Sequence, residues 1–117
     1  MHITHRDQAR PYAAAGHHRL SMHRIQGMDV TPLNGVWSAR LDLQADAHVE
    51  AKASPAGKLY IVTQGQVHFR GGAQTVTLSA GDSVFVLPNE EREFRECAGA
   101  PAQMYLVMLE HYPADPA

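Results

Sequence analysis

Closely spaced turn signals run along most of this chain, and they constrain its fold more than any other feature. From Leu20 onward the turns fall at Gly27, Pro32 to Gly35, Pro55 to Gly57, Gly65, Gly71–Gly72, Gly81–Asp82, Pro88–Asn89 and Gly99 to Pro101. Glycine supplies the backbone conformations that tight turns need, and proline interrupts both helices and sheet ladders. The intervals between these turns suit short strands better than helices, so we predict an all-β fold.

The segments between the turns have the pattern of half-buried strands. Apolar and polar residues alternate over 37–44, with Trp37, Ala39, Leu41 and Leu43 on one predicted face. The segments LYIV, VHFR, TVTL, SVFVL, REFRE and MYLVML are short and rich in β-branched and aromatic residues. Such residues are common in strands, and many short strands joined by tight turns favour a sandwich or a barrel.

Length and composition predict one domain. The chain has 117 residues, of which 44% are hydrophobic, enough for one core and too few for two. Residues 1–19 have no sustained periodicity, and we expect an N-terminal arm there, followed by a barrel over 20–112 and a tail over 113–117.

Charge and cysteine content exclude several classes of function. Ten basic and twelve acidic residues give a net charge of −2, without a basic stripe, so we expect no nucleic-acid partner. Cys97 is the single cysteine, which rules out an internal disulfide. No apolar run reaches the length of a signal sequence or a membrane span, and we expect a cytoplasmic protein without a cleaved leader or a membrane partner.

The stretch from His48 to Leu109 resembles the cupin superfamily. KLYIVTQGQVHF, followed by a turn at Gly72 and then TVTLSAGDSVFVLP, is similar to the cupin order of strand, glycine hairpin, strand, Gly-Asp turn and a strand ending at proline. The resemblance implies a double-stranded β-helix, a jelly-roll barrel of the small RmlC-like type. It also implies a homodimer, with the N-terminal arm crossing to the partner and covering exposed strand edges.

The family's metal-binding motif is largely replaced in this sequence. Cupins hold a divalent metal with two histidines, a glutamate and a further histidine. Here the first pair is His48 and Glu50, the glutamate position is Lys58, and the last histidine falls on Arg92 or Glu93. An ammonium group at Lys58 would repel a divalent cation by several kcal/mol at intermediate dielectric. If a metal is bound, the ligands implied are His48, Glu50 and Glu93, with Mn, Fe or Zn as the ion.

Three functions remain open at this stage. The first is binding or conversion of a small organic anion, with Lys58 and Arg92 holding the anion and His48 or Glu50 acting as a general base. A desolvated Lys58 could itself be catalytic, as a base or as a Schiff-base nucleophile, or it could be a strand-edge lysine that reaches solvent. Tyr60 shares a strand face with Lys58 and is expected in the same site; His68 is expected either there or in solvent. The second is a metal-dependent oxygenase, isomerase or lyase, and the third is a non-catalytic small-molecule sensor. The sensor reading rests on a resemblance to the ligand-binding halves of arabinose-regulator-type transcription factors. The sequence does not decide whether the chain is an enzyme.

The remaining histidines near the arm suggest no site. His17, His18 and His23 have no ligand spacing, and two consecutive strand residues point to opposite faces. We expect these three at the surface.

Overall fold

A computed structural model describes residues 1–112, and the predicted tail over 113–117 lies outside the described residues. Nine strands follow a short 3-10 helix at Arg6–Gln8. The strands are β1 (Arg10–Tyr12), β2 (His17–Gln26), β3 (Val36–Lys52), β4 (Gly57–Gln64), β5 (Gln66–Gly71), β6 (Gln74–Ser79), β7 (Ser83–Val86), β8 (Arg92–Glu96) and β9 (Ala102–Leu109). In residues 1–112, no helix is long and apolar enough to cross a membrane.

The strands form a nearly closed barrel, which confirms the predicted all-β double-stranded β-helix. They are ordered β6-β5-β8-β3-β9-β4-β7, with β2 added to β3 and β1 added to β2. The strand pairs described are antiparallel. Tight turns make this order possible: Gly65 joins β4 to β5 with a φ of 80°, a conformation that costs glycine little.

The long strand β3 links the two walls of the barrel. Its first part, up to Leu43, pairs with β9, and its second part, from His48, pairs with β8. Between them lies Asp46, whose φ of 64° bends the chain. The buried Glu96 carboxylate accepts a hydrogen bond from the Asp46 N–H at 2.9 Å and so holds the bend in place. One strand therefore contributes side chains to both walls.

The core fills the inside of the barrel. Tyr60, Phe69 and Phe94 lie together at its centre, with ring centroids 5.3–5.4 Å apart. Trp37, Ala39, Leu41 and Leu43 are all buried, so the predicted alternation over this part of β3 is confirmed.

Arg40 differs from that simple alternation. It lies on the opposite face of β3 from the core residues, yet only 6% of it is exposed. Its Nε donates a hydrogen bond to Asp42 at 2.9 Å, and the N-terminal residues Arg6 and Asp7 lie beside it. The N-terminal segment thus covers a polar surface that the sequence pattern assigns to solvent.

The N-terminal residues pack along their own chain. Strand β1 pairs with β2 through Tyr12 and Met22, and β2 begins at His17, before the predicted boundary at residue 20. The division into arm, barrel and tail stays a prediction.

Candidate functional site

A cavity of about 240 Å³ lies inside the barrel, next to the aromatic core. Four of its lining residues are basic: Arg24, Lys52, Lys58 and Arg92. One wall is apolar and consists of Met22, Trp37, Leu41, Leu106 and Met108. None of the described residues that line the cavity is an aspartate or a glutamate. The cavity therefore combines several basic groups with an apolar wall.

Lys58 is the basic residue placed most deeply. It lies on β4, where cross-strand pairs with Val86 and Met108 fix its backbone, and only 3% of it is exposed. Its Nζ is buried and has no hydrogen-bond partner among the described residues. Burial, together with the nearby charges of Arg92 and Lys52, lowers the pKa of Lys58 to about 8. Burying an unpaired ammonium group costs free energy, and an anion bound beside Lys58 would offset that cost.

Arg92 and Tyr60 form the floor of the cavity. The Nε of Arg92 donates to the Tyr60 hydroxyl at 3.0 Å, and its Nη1 donates to the backbone carbonyl of Glu50 at 3.0 Å. Burial raises the pKa of Tyr60, although the Arg92 charge and hydrogen bond oppose the shift, and the phenol stays neutral. The two bonds hold the guanidinium in one orientation and leave its Nη2 without a described partner.

Arg24 lies in an aromatic clamp at the opposite wall. Its guanidinium carbon lies 4.4 Å from the Tyr12 ring centroid and 4.8 Å from that of Trp37. Its Nη1 donates to Asp29 at 3.4 Å, outside the cavity. Cation–π contacts with two rings at right angles to each other fix the position of the guanidinium.

His17 reaches the cavity, which sequence reasoning missed. Arg19 adopts a φ of 61°, and the β2–β3 register shifts between His18 and Leu20. This bulge reverses the alternation, so His17 lines the cavity while His18 faces outward. Burial and neighbouring positive charges lower the pKa of His17 although a hydrogen bond to the Ala15 carbonyl opposes the shift. The prediction that His17 lies at the surface is therefore wrong. No sequence signal marks the bulge that turns His17 inward.

Lys52 enters the cavity through a similar irregularity. The β3–β8 register shifts between Val49 and Lys52, which brings Lys52 opposite Arg92. Lys52 is exposed as a residue and lies at the rim of the cavity. Two basic groups thus meet at one place although they come from different strands.

Unpaired polar atoms concentrate around the cavity. Five buried side-chain atoms of the described residues lack a hydrogen-bond partner: Tyr12 Oη, His23 Nδ1, Arg24 Nε, Ser54 Oγ and Lys58 Nζ. All but His23 line the cavity. Buried polar groups are normally paired, and such a cluster is typical of a site that a ligand completes.

His48 and Glu50 lie on the other side of the barrel wall. They alternate with Ala47 and Val49, which are 0% and 1% exposed and point into the core. On the outer surface, Glu50 Oε2 lies 3.0 Å from His18 Nε2, within the distance of a hydrogen bond or an ion pair. The structure therefore separates these two residues from Lys58, and the expected convergence of all three is not found. Strand alternation is the reason, because the tightly packed Ala47 and Val49 fix which face is inside.

Glu93 and His68 also lie outside the cavity. Glu93 accepts a hydrogen bond from Arg70 Nε at 2.7 Å, and exposed His68 pairs with the Thr77 hydroxyl at 2.9 Å. Arg92, by contrast, is 5% exposed and lines the cavity, so Arg92 is the inward residue of the pair that the sequence left undecided. Of the predicted site residues, the structure brings together Lys58, Tyr60 and Arg92 in the cavity, whereas His48, His68 and Glu93 line a groove on the outer surface.

Comparisons with known proteins agree with this architecture. The family model described as "Cupin domain" matches residues 39–108. An RmlC-like cupin from Shewanella frigidimarina has a TM-score of 0.79 at 15% identity, covering 96% of this chain and 93% of its own. A predicted oxalate decarboxylase from Thermotoga maritima has a TM-score of 0.78 at 16% identity, covering 92% and 98%. The polyketide cyclase RemF from Streptomyces resistomycificus has a TM-score of 0.78 at 10% identity, covering 98% and 88%. No curated protein sequence matches.

The family match covers more than half of the sequence, and the barrel agrees with it. The chain belongs to the cupins. The solved structures share its fold at low identity and leave its chemistry open.

The described residues do not fit the divalent metal that many cupins hold. Within residues 1–112, no three histidine, cysteine, aspartate or glutamate side chains gather in a group that could hold an ion. Of the implied ligands, Glu50 is engaged by His18 and Glu93 by Arg70, both on the outer surface. Inside, Lys58 and Arg92 supply positive charge. A cavity of this charge favours an anion over a cation.

Proposed function

We propose that this cupin binds a small organic anion in its barrel cavity. The observation that carries the proposal is the Lys58 ammonium group, which is buried near Arg92 and has no hydrogen-bond partner among the described residues. A carboxylate there would supply the missing charge and accept hydrogen bonds from both residues. The site therefore favours a ligand that carries at least one negative charge.

The apolar wall limits the rest of the ligand. Met22, Leu41 and Leu106 offer no hydrogen bonds, so a short apolar group is favoured on that side. At about 240 Å³ the cavity lies below the roughly 300–1,000 Å³ typical of drug-sized ligands. We therefore infer a compact monocarboxylate with an aliphatic end as the ligand class.

The chain has a built-in reporter for this test. Trp37 is the single tryptophan and lines the cavity, so its fluorescence should respond when a ligand enters. We would titrate the protein with 2-hydroxybutyrate and, as a neutral match, with 2-hydroxybutyramide. The acid should shift the emission with saturation, and the amide should not. Equal responses to both compounds, or none to either, would overturn the proposal.

A matched pair of variants tests the charge directly. Arg92 points into the cavity and Arg95, on the same strand, is exposed on the outer face. Arg92→Met should weaken 2-hydroxybutyrate binding by about tenfold or more, since it removes a charged hydrogen-bond donor. Arg95→Met should leave the binding unchanged.

The proposal extends to assembly in the cytoplasm as a homodimer. Strands β6 and β7 end the described strand order, and each has one edge without a described partner. Phe85 and Leu87 are exposed on and beside β7, at 37% and 53%. A second copy would cover this surface and the free edge. Light scattering on the untagged chain tests this, and a monomer at all concentrations would refute it.

A further inference from the structure

We propose that the Lys58 amine forms an imine with a 2-oxo carboxylate held in the cavity. This inference rests on the proposed anion site and names the chemical class of its ligand. A 2-oxo acid carries a carbonyl carbon directly attached to its carboxylate. It therefore presents an electrophile next to the charge that the site would recognise.

Lys58 has the properties of a nucleophilic amine. Its Nζ is buried and makes no hydrogen bond to a described residue, and Lys58 is one of the residues that line the cavity. Its position on β4 is fixed by the neighbouring strands β7 and β9. With a pKa of about 8, a fraction of the amine is neutral near pH 7 and most of it above pH 8. Lysines desolvated in this way are the ones that attack carbonyl groups.

The surrounding residues supply the carboxylate clamp that such a ligand needs. The Nε and Nη1 of Arg92 donate to the Tyr60 hydroxyl and the Glu50 carbonyl, and these bonds fix the guanidinium. Its Nη2, which has no described partner, could donate to the carboxylate of a ligand. Lys52 lies opposite Arg92 in the strand register and also lines the cavity. Both charges help to lower the pKa of Lys58, and a carboxylate bound between them would lie in the cavity that Lys58 also lines. The aliphatic end of the ligand would extend along Leu41 and Leu106.

The reaction needs no oxidant or reductant. The Lys58 nitrogen lone pair forms a bond to the carbonyl carbon, and the C=O π electrons move to the oxygen. The nitrogen releases a proton as that oxygen gains one, which gives a carbinolamine. A further proton from solvent converts the hydroxyl to water, the C–O bond breaks, and the protonated imine remains. The new cation stays beside the carboxylate of the same ligand.

Reductive trapping tests the inference on the intact protein. We would incubate the chain with 2-oxobutyrate, reduce with cyanoborohydride and map the modified peptide by mass spectrometry. The chain has only two lysines, Lys52 and Lys58, so the assignment is simple. We expect one adduct per chain, with about tenfold or more adduct on Lys58 than on Lys52. The reason is that a larger fraction of the desolvated Lys58 amine is uncharged and able to react.

Controls separate this reaction from nonspecific amine chemistry. Lys58→Met should abolish the adduct, and Arg95→Met, on the exposed outer face of β8, should keep it. An excess of 2-hydroxybutyrate, which fits the same site but has no carbonyl group, should protect Lys58. Comparable labelling of Lys52 or the N-terminal amine, or no protection, would overturn the inference. If Lys58→Met fails to fold, the peptide map of the labelled chain without substitutions still shows whether the adduct lies on Lys58.

The outcomes also distinguish this inference from the proposed function. If 2-hydroxybutyrate and 2-oxobutyrate both shift Trp37 fluorescence but no adduct is trapped, the imine is refuted and the anion site stands. If neither compound binds, the anion site itself is refuted. Imine formation should increase as the pH rises through about 8, whereas binding of 2-hydroxybutyrate should weaken over the same range as Lys58 loses its charge.

Discussion

The Arg92 guanidinium donates a hydrogen bond to the Tyr60 phenol at 3.0 Å, and both side chains are almost fully buried. This contact joins β8 to β4 across the barrel interior and places a fixed charge beside Lys58. It also couples the aromatic core to the cavity, since the Tyr60 ring packs against both Phe69 and Phe94. The stability of the barrel and the proposed anion binding therefore involve the same pair of residues.

Tyr60→Phe tests the energy of this contact. The substitution keeps the ring packing but leaves the buried Arg92 Nε without its acceptor, which should lower the free energy of unfolding by about 1–3 kcal/mol. Urea denaturation measures the change. Tyr105→Phe is the control, because Tyr105 is only partly buried and its hydroxyl has no described hydrogen bond. An equal effect of both variants would show that the contact contributes little.

Lys58→Met tests the cost of the buried amine through its pH dependence. Below pH 8 the folded chain keeps Lys58 protonated inside the cavity, and the difference between a pKa of 10.5 and one of about 8 costs about 3 kcal/mol. Between pH 8 and 10.5 the folded lysine is neutral while the unfolded one still binds a proton, so this cost decreases as the pH rises.

The variant should therefore be more stable than the unmodified chain at pH 7, by up to about 3 kcal/mol. The gain should decrease as the pH approaches 10.5, the ordinary lysine pKa. Urea denaturation at pH 7 and pH 10 without added anions measures it. Lys52→Met, at the exposed rim, should change the stability by less than about 1 kcal/mol. A gain that does not depend on pH would contradict this explanation.

Gly65→Ala and Gly81→Ala separate steric clash from backbone strain. Both glycines have positive φ, 80° and 95°, where an alanine costs roughly 1–2 kcal/mol. A Cβ at Gly65 would lie 2.8 Å from the Cβ of Ala102, whereas one at Gly81 would have no atom within 4 Å. Thermal denaturation should show a clearly larger loss for Gly65→Ala. Equal losses would mean that the β4–β5 turn shifts freely away from Ala102.

The local pattern of the sequence determined the barrel. Turn residues such as Gly65 and the alternation over 37–44 predict short strands with one buried face, because these signals act over a few neighbouring residues. The position of Lys58 and Tyr60 on one inward face follows from the same two-residue period.

The tertiary structure decided which polar residues share the cavity. His17 and Lys52 enter it through bulges that reverse strand alternation, and a bulge depends on how two distant strands pair. His48 and Glu50 lie outside because the packing of Ala47 and Val49 fixes the face of β3. The sequence by itself determined the framework of this cupin, through local backbone and solvation preferences. Only long-range pairing and packing decided that lysine and arginine line the cavity, where none of the described lining residues is an aspartate or a glutamate.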